Sequence, residues 1–185
     1  ELRTPAADAA LVGVATLASA QDVRRALSDA APWAAPAATR TRILNAAADL
    51  YEDNAGELWA LLAREAGKTP PDAVGELREA VDFLRYYGAR AAADAPARGV
   101  LGCVSPWNFP LAIITGQIAA VLAAGGGVLA KPAEPTPLIA GVAVALLRSA
   151  GVPDTALQLA PGAGATIGAQ LVAAPGDLLL VRDHG

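Results

Sequence analysis

Charge is spread very unevenly along this chain, and that unevenness constrains its fold more than any single motif. From residue 99 to residue 176 the only charged side chains are Lys131, Glu134, Arg148 and Asp154, whereas residues 1–98 carry most of the Asp, Glu, Lys and Arg. An ionised side chain taken out of water costs several kcal/mol unless it is paired. A stretch almost without charge can therefore be buried, and the second half is expected to lie largely in the interior.

The first half repeats its apolar residues with helical spacing. "DVRRALSDAA" from Asp22, "TRTRILNAAADLYEDNAGELWALLAREAG" from Thr39 and "PDAVGELREAVDFLRYYGARAAA" from Pro71 each predict an amphipathic helix. In the second of these, Ile43, Leu44, Ala47, Leu50 and Tyr51 fall on one face. Gly67 and the Thr-Pro-Pro at 69–71 end one helix and open the next. Arg64, Glu65, Arg78, Glu79 and Arg85 read as solvated or paired surface charges.

In the second half the period changes. "GVLGCVS", "GGVLAKP", "TALQLAP" and "DLLLV" read as short buried strands, and they alternate with helical segments "PLAIITGQIAAVLAAG", the stretch after Thr136, and "ATIGAQLVAA". Thr136 is expected to cap its helix, with Pro137 in the first turn and Gly151 and Pro153 stopping it. Strands alternating with helices imply right-handed parallel crossovers, so the expected class is α/β: a helical N-terminal part, residues 1–98, followed by a Rossmann-like doubly wound parallel sheet, residues 99–185. Ligands on such sheets bind at the carboxyl ends of strands, here Ser105 to Asn108, Lys131 to Glu134 and Pro161 to Gly164.

Composition narrows the function classes. The hydrophobic fraction is 54% and mean hydropathy is +0.39, yet the longest apolar stretch, 111–130, is interrupted by Thr115, Gln117 and Gly125–Gly127, which argues against a membrane span. A formal net charge of -4 without a basic cluster argues against a nucleic-acid partner. One cysteine cannot form an internal disulfide, and no signal-like segment opens the chain, so a cytoplasmic setting is expected. A chain that starts at Glu1 rather than Met is expected to be a piece of a longer polypeptide, although processing would look the same.

That one cysteine, Cys103, lies inside an apolar strand with no His, Lys or helix N-terminus nearby to lower its pKa, and is expected to be structural. Asn108 follows the strand, between Trp107 and Phe109 and flanked by Pro106 and Pro110. A side-chain amide held there suits a developing oxyanion; on the residues alone, a turn or capping role serves equally. The Gly162, Gly164 and Gly168 turn lets backbone N–H groups approach a cofactor, though such turns are often only tight loops. Gly125–Gly127 reads as a helix terminus and tight turn, and His184 as a solvated terminal imidazole.

"SPWNFPLAIITGQIAAVLAAGGGVLAKPAEPTPLIA" together with "REAGKTPPDAVGELREAVDFLRYYGARA" resembles the aldehyde dehydrogenase superfamily, over about residues 20–175. "REAVDFLRYY" and "KPAEPTPLIA" are most similar to its branch acting on L-glutamate γ-semialdehyde (1-pyrroline-5-carboxylate) in proline catabolism. The resemblance implies a catalytic role for Asn108, donating to the tetrahedral oxyanion. It implies an NAD site in which Lys131 and Glu134 hold ribose hydroxyls, Ser105, Pro106 and Trp107 line the nicotinamide side through backbone, and Gly162 passes the adenine side. It implies no metal. It further implies a small aldehyde substrate and an NAD-dependent dehydrogenase joined to a proline dehydrogenase domain in a bifunctional flavoprotein that forms a homo-oligomer. The thiolate nucleophile and glutamate base of that reaction have no match in the residues present, so the chain alone is expected to be inactive. Two alternatives stay open: a non-catalytic dehydrogenase-like structural domain, and another semialdehyde dehydrogenase branch.

Overall fold

The structure, a computed structural model, describes the chain except residues 7–8, 92–96, 173–178 and 183–185. His184 lies outside the described residues.

Four parallel strands form the central sheet in the order β5-β4-β3-β6: β3 (Val100–Val104), β4 (Gly127–Lys131), β5 (Leu157–Leu159) and β6 (Leu179–Arg182). The chain enters at β3, steps outward through β4 to β5, then returns to the other side of β3. This reversal makes the sheet doubly wound, with its switch point between β3 and β6. Period-two alternation feeds two layers. Val128 and Ala130 of β4 join the larger core, while Leu129 between them joins the smaller.

Helices α5 (Ala112–Ala123) and α6 (Pro137–Ser149) cover the first face, and α2 (Ala37–Asp53), α3 (Ala55–Ala66) and α4 (Pro70–Gly88) pack over them. The larger core runs without interruption from Trp33, Leu44 and Tyr51 through Leu62 and Leu84 to Ile114, Ile118 and Leu147. Each such side chain contributes about 1.5–3 kcal/mol when fully buried. The helical N-terminal part and the sheet thus share one core. On the opposite face α1 (Ala20–Asp29) meets α7 (Ala169–Val172) over Val23, Leu129, Ile167 and Leu171.

Three features differ from the sequence expectation. The periodic stretch from Thr39 is two helices, because Asn54 leaves helical geometry at φ -102° and ψ 20° while its side-chain amide donates to Leu50 O at 2.8 Å. Tyr51, Leu58 and Leu62 keep the same apolar spacing across that break, which hides it from a periodicity reading. The segment before α1 pairs antiparallel as β1 (Leu2–Arg3) and β2 (Leu11–Gly13), strands too short to show an alternation. The last helical segment opens as a π-helix, Gly164–Gly168, before becoming α7.

The Gly125–Gly127 turn takes its expected form. Gly125 has φ +81°, and a Cβ on Gly127 would stand 2.5 Å from Ala31 O, closer than real Cβ atoms approach. Arg40 lies beside it, its Nε donating to Ala123 O at 3.1 Å, near the end of α5 where cations are favoured.

Candidate functional site at the carboxyl edge of the sheet

The carboxyl ends of β3, β4 and β5 lie side by side because their strands are neighbours in register. Ser105 N donates to Lys131 O at 3.2 Å, and Ala160 N donates to Ala130 O at 2.8 Å. From the glycine turn, Gly164 N donates to Glu134 Oε1 at 2.5 Å. Lys131, Glu134 and the Gly162–Gly164 turn are therefore brought together, as the sequence suggests. Glu134, Pro137, Gly162 and Ala163 line a cavity of about 270 Å³ together with Glu1, Leu2, Ala15 and Leu17.

Within this group Lys131 is buried, and its Nζ donates to Pro132 O at 3.0 Å. Burial lowers its pKa, and the nearby Glu134 carboxylate acts in the opposite direction. An ammonium has three donors, so this contact leaves donor capacity for a ligand. Gly162 is required by packing: a Cβ there would meet Ile167 Cγ1 at 2.6 Å.

Ser105 is buried at the end of β3, and its hydroxyl finds no partner among the described residues. The side-chain amide of Gln117 on α5 donates to Val104 O at 3.2 Å, leaving its own buried carbonyl oxygen unpaired. A buried polar atom without a partner costs about 1–3 kcal/mol, so each of these two oxygens is left with hydrogen-bonding capacity for a polar group. In the sequence Gln117 reads only as an interruption of an apolar run; a lone amide on a largely apolar helix is the signal for this role.

Asn108 sits beyond β3 on an exposed bend, apart from the cavity lining. Trp107 is 59% and Phe109 42% exposed, so the residues on either side of Asn108 are also open to solvent. Cys103 is the opposite case: its thiol is fully buried within β3, and burial pushes its pKa up to about 12. A thiol so placed is held in its neutral form.

The helices that follow these motifs begin in an unexpected way. Thr136 does not cap α6; its hydroxyl is buried and unpaired. The cap comes instead from Glu65 at the end of α3, whose Oε1 accepts from Leu138 N at 2.7 Å and Oε2 from Ile139 N at 2.9 Å. Glu65 is 5% exposed, so the expectation of a surface charge is corrected for this residue. A carboxylate spanning two orphan N–H groups at the positive end of a helix dipole is stabilised there in a way a neutral hydroxyl is not. Glu76 of α4 does the same for α5, accepting from Leu111 N at 2.8 Å and Ala112 N at 3.3 Å. Both helix N-termini beside the site already hold an anion. Arg64, Arg78 and Glu79 are exposed, and Arg85 pairs with Asp49 and Glu52, as expected for surface charges.

The model of the Aldehyde dehydrogenase family matches residues 1–178. Bifunctional protein PutA of Escherichia coli (strain K12) is 51% identical over 177 residues, covering 90% of this chain and 13% of that protein. Among solved structures, a variant of proline utilization A from Bradyrhizobium japonicum superposes with TM-score 0.82 at 44% identity, covering 89% of this chain and 19% of that one. A variant of 1-pyrroline-5-carboxylate dehydrogenase from Thermus thermophilus gives TM-score 0.86 at 31% identity, covering 94% and 38%. The chain thus spans only a small part of each relative's length. No helix among the described residues is long and apolar enough to cross a membrane.

Proposed function

Because this chain belongs to the aldehyde dehydrogenase family, we propose that it forms the cofactor-binding part of an NAD-dependent enzyme that oxidises L-glutamate γ-semialdehyde to L-glutamate in proline catabolism. The observation that carries this reading is the grouping of Lys131, Glu134 and the Gly162–Gly164 turn at the carboxyl edge of the sheet, in a chain 51% identical to part of a bifunctional PutA. The enzyme would join this part to a proline dehydrogenase domain and act as a cytoplasmic homo-oligomer.

The residues present fit NAD. Lys131 has donors left after its bond to Pro132 O, and Glu134 has its second carboxylate oxygen left after Gly164 takes the first. One donor and one acceptor at a strand end suit a pair of ribose hydroxyls, and the same carboxylate repels the additional phosphate of NADP. The preference for NAD therefore rests on Glu134 and not on the fold. Ser105 offers its unpaired hydroxyl beside Lys131, with Pro106 and Trp107 continuing the wall toward Asn108. NAD, when bound, supplies the hydride acceptor.

At the far end, Asn108 presents its amide on the exposed bend, where it can donate to a carbonyl oxygen that gains negative charge as its carbon is attacked. Such a donor contributes about 2.7–4 kcal/mol of transition-state stabilisation. With Cys103 buried, the attacking thiolate and the base belong to other residues of the enzyme, and this chain alone does not oxidise aldehydes.

Calorimetric titration of the folded chain with NAD⁺ tests the reading. Saturable binding is expected, weakened about tenfold or more by Lys131→Ala or Glu134→Ala, since a hydrogen bond to a charged group contributes about 1.5–3 kcal/mol. Glu134→Ala should also narrow the gap between NAD⁺ and NADP⁺. A folded chain that binds neither overturns the proposal in favour of a non-catalytic structural domain.

A further inference from the structure

Asn108 has no anchor of its own: it stands on an exposed bend, and among the described residues its amide forms no hydrogen bond. An oxyanion donor must nevertheless be aimed, because catalysis depends on donors held in place before charge develops. The restraint lies just past it in the chain. Lys68 Nζ stands 4.0 Å from the centroid of the Phe109 ring, the residue immediately after Asn108. The same ammonium is 3.0 Å from Glu76 Oε2. The other oxygen of that carboxylate takes the N–H groups of Leu111 and Ala112, three and four residues after Asn108.

We propose that Lys68 and Glu76 are positioning residues, a single ion pair that grips the Trp-Asn-Phe-Pro bend on its carboxyl side, through Phe109 and the first turn of α5, and so sets the direction of the Asn108 amide. The grip comes from outside the sheet: Glu76 lies on α4 and Lys68 in the turn after α3, which Gly67 opens with φ +69°. Glu76 is 2% exposed and the Lys68 side chain 14%. A surface ion pair contributes little and tolerates slack, but here neither partner can move without releasing Phe109 or the first turn of α5. The catalytic consequence rests on the reading of Asn108 given above; the mechanical one does not.

The test compares the isotope-labelled 185-residue chain with its Glu76→Ala, Glu76→Gln and Lys68→Met variants. In Glu76→Ala the Leu111 and Ala112 amides should exchange about tenfold faster or more, and the Asn108 side-chain amide signals should shift and broaden. Glu76→Gln keeps an acceptor for both N–H groups and should restore slow exchange at those two amides, while the Asn108 signals still move because Lys68 has lost its counter-ion. Lys68→Met should move the Asn108 signals with Leu111 and Ala112 protected. Amides of the sheet, such as Cys103 and Val128, should keep wild-type protection.

Asn108 signals unchanged in both Glu76→Ala and Lys68→Met would reduce the pair to an ordinary helix cap and overturn the proposal. If Glu76→Ala does not fold, Lys68→Met decides by the same criterion. Failure of the functional reading is separable: a chain that loosens at Asn108 as expected yet binds no NAD⁺ keeps the grip and loses the cofactor site.

Discussion

Replacing Glu65 with alanine should destabilise the chain more than removal of any exposed charge. The carboxylate accepts from Leu138 N at 2.7 Å and Ile139 N at 2.9 Å, and Ile139 is fully buried. Two charge-assisted hydrogen bonds are together worth about 3–6 kcal/mol, and alanine leaves both N–H groups without an acceptor. Against this, the wild type carries the cost of keeping a carboxylate out of water, which alanine removes. A net loss of about 2–3 kcal/mol follows, or roughly 5–10 °C in Tm for a chain of this size. Urea denaturation with an unchanged m-value is the assay.

The pH dependence of that loss carries a sign. Burial is the largest influence on the Glu65 pKa and raises it from the ordinary 4.5, with the N–H groups of Ile139 and Leu138 acting the other way. The folded state therefore holds the proton more tightly than the unfolded one. The contribution of Glu65 to stability declines as pH rises from about 4.5 through the raised folded value and is level above it. The gap between wild type and Glu65→Ala is consequently wider in mild acid than at neutral pH. A variant within about 0.5 kcal/mol of wild type at both pH values, the range of an ordinary surface substitution, would refute the assignment of Glu65 as the cap of α6.

Two further outcomes are expected. With its pKa pushed up to about 12 and its sulfur buried, Cys103 should resist Ellman's reagent in the native chain and react fully after denaturation; rapid native reaction would contradict its burial in β3. Gly162→Ala should cost about 1–3 kcal/mol by overpacking against Ile167 and weaken NAD⁺ binding, which parallel chemical denaturation and titration would show; wild-type stability would mean that the turn relaxes freely.

What could be read in advance was whatever depends on near neighbours in the chain. The low charge of residues 99–176, the change of period from helix to strand, and the punctuation at Gly67, Gly125 and Gly151 are local signals. They led to the doubly wound sheet, to a buried Cys103, and to Lys131 and Glu134 sharing one strand end. Local spacing also misled, since the apolar positions 51, 58 and 62 continue unbroken past the kink at Asn54.

Only the tertiary structure decided which charges are surface charges. Arg64 and Glu65 are adjacent, yet one is exposed and the other is buried beneath a helix whose capped residues lie at 138 and 139. No local pattern distinguishes them, because what makes Glu65 a cap is the N-terminus of α6, brought within reach by packing of the shared core. The same holds for Glu76 and for the Lys68 ammonium over Phe109. Periodicity records which face of an element is dry; which polar group meets a distant helix end depends on how the elements are stacked, and the helix dipole acts only over that final contact distance.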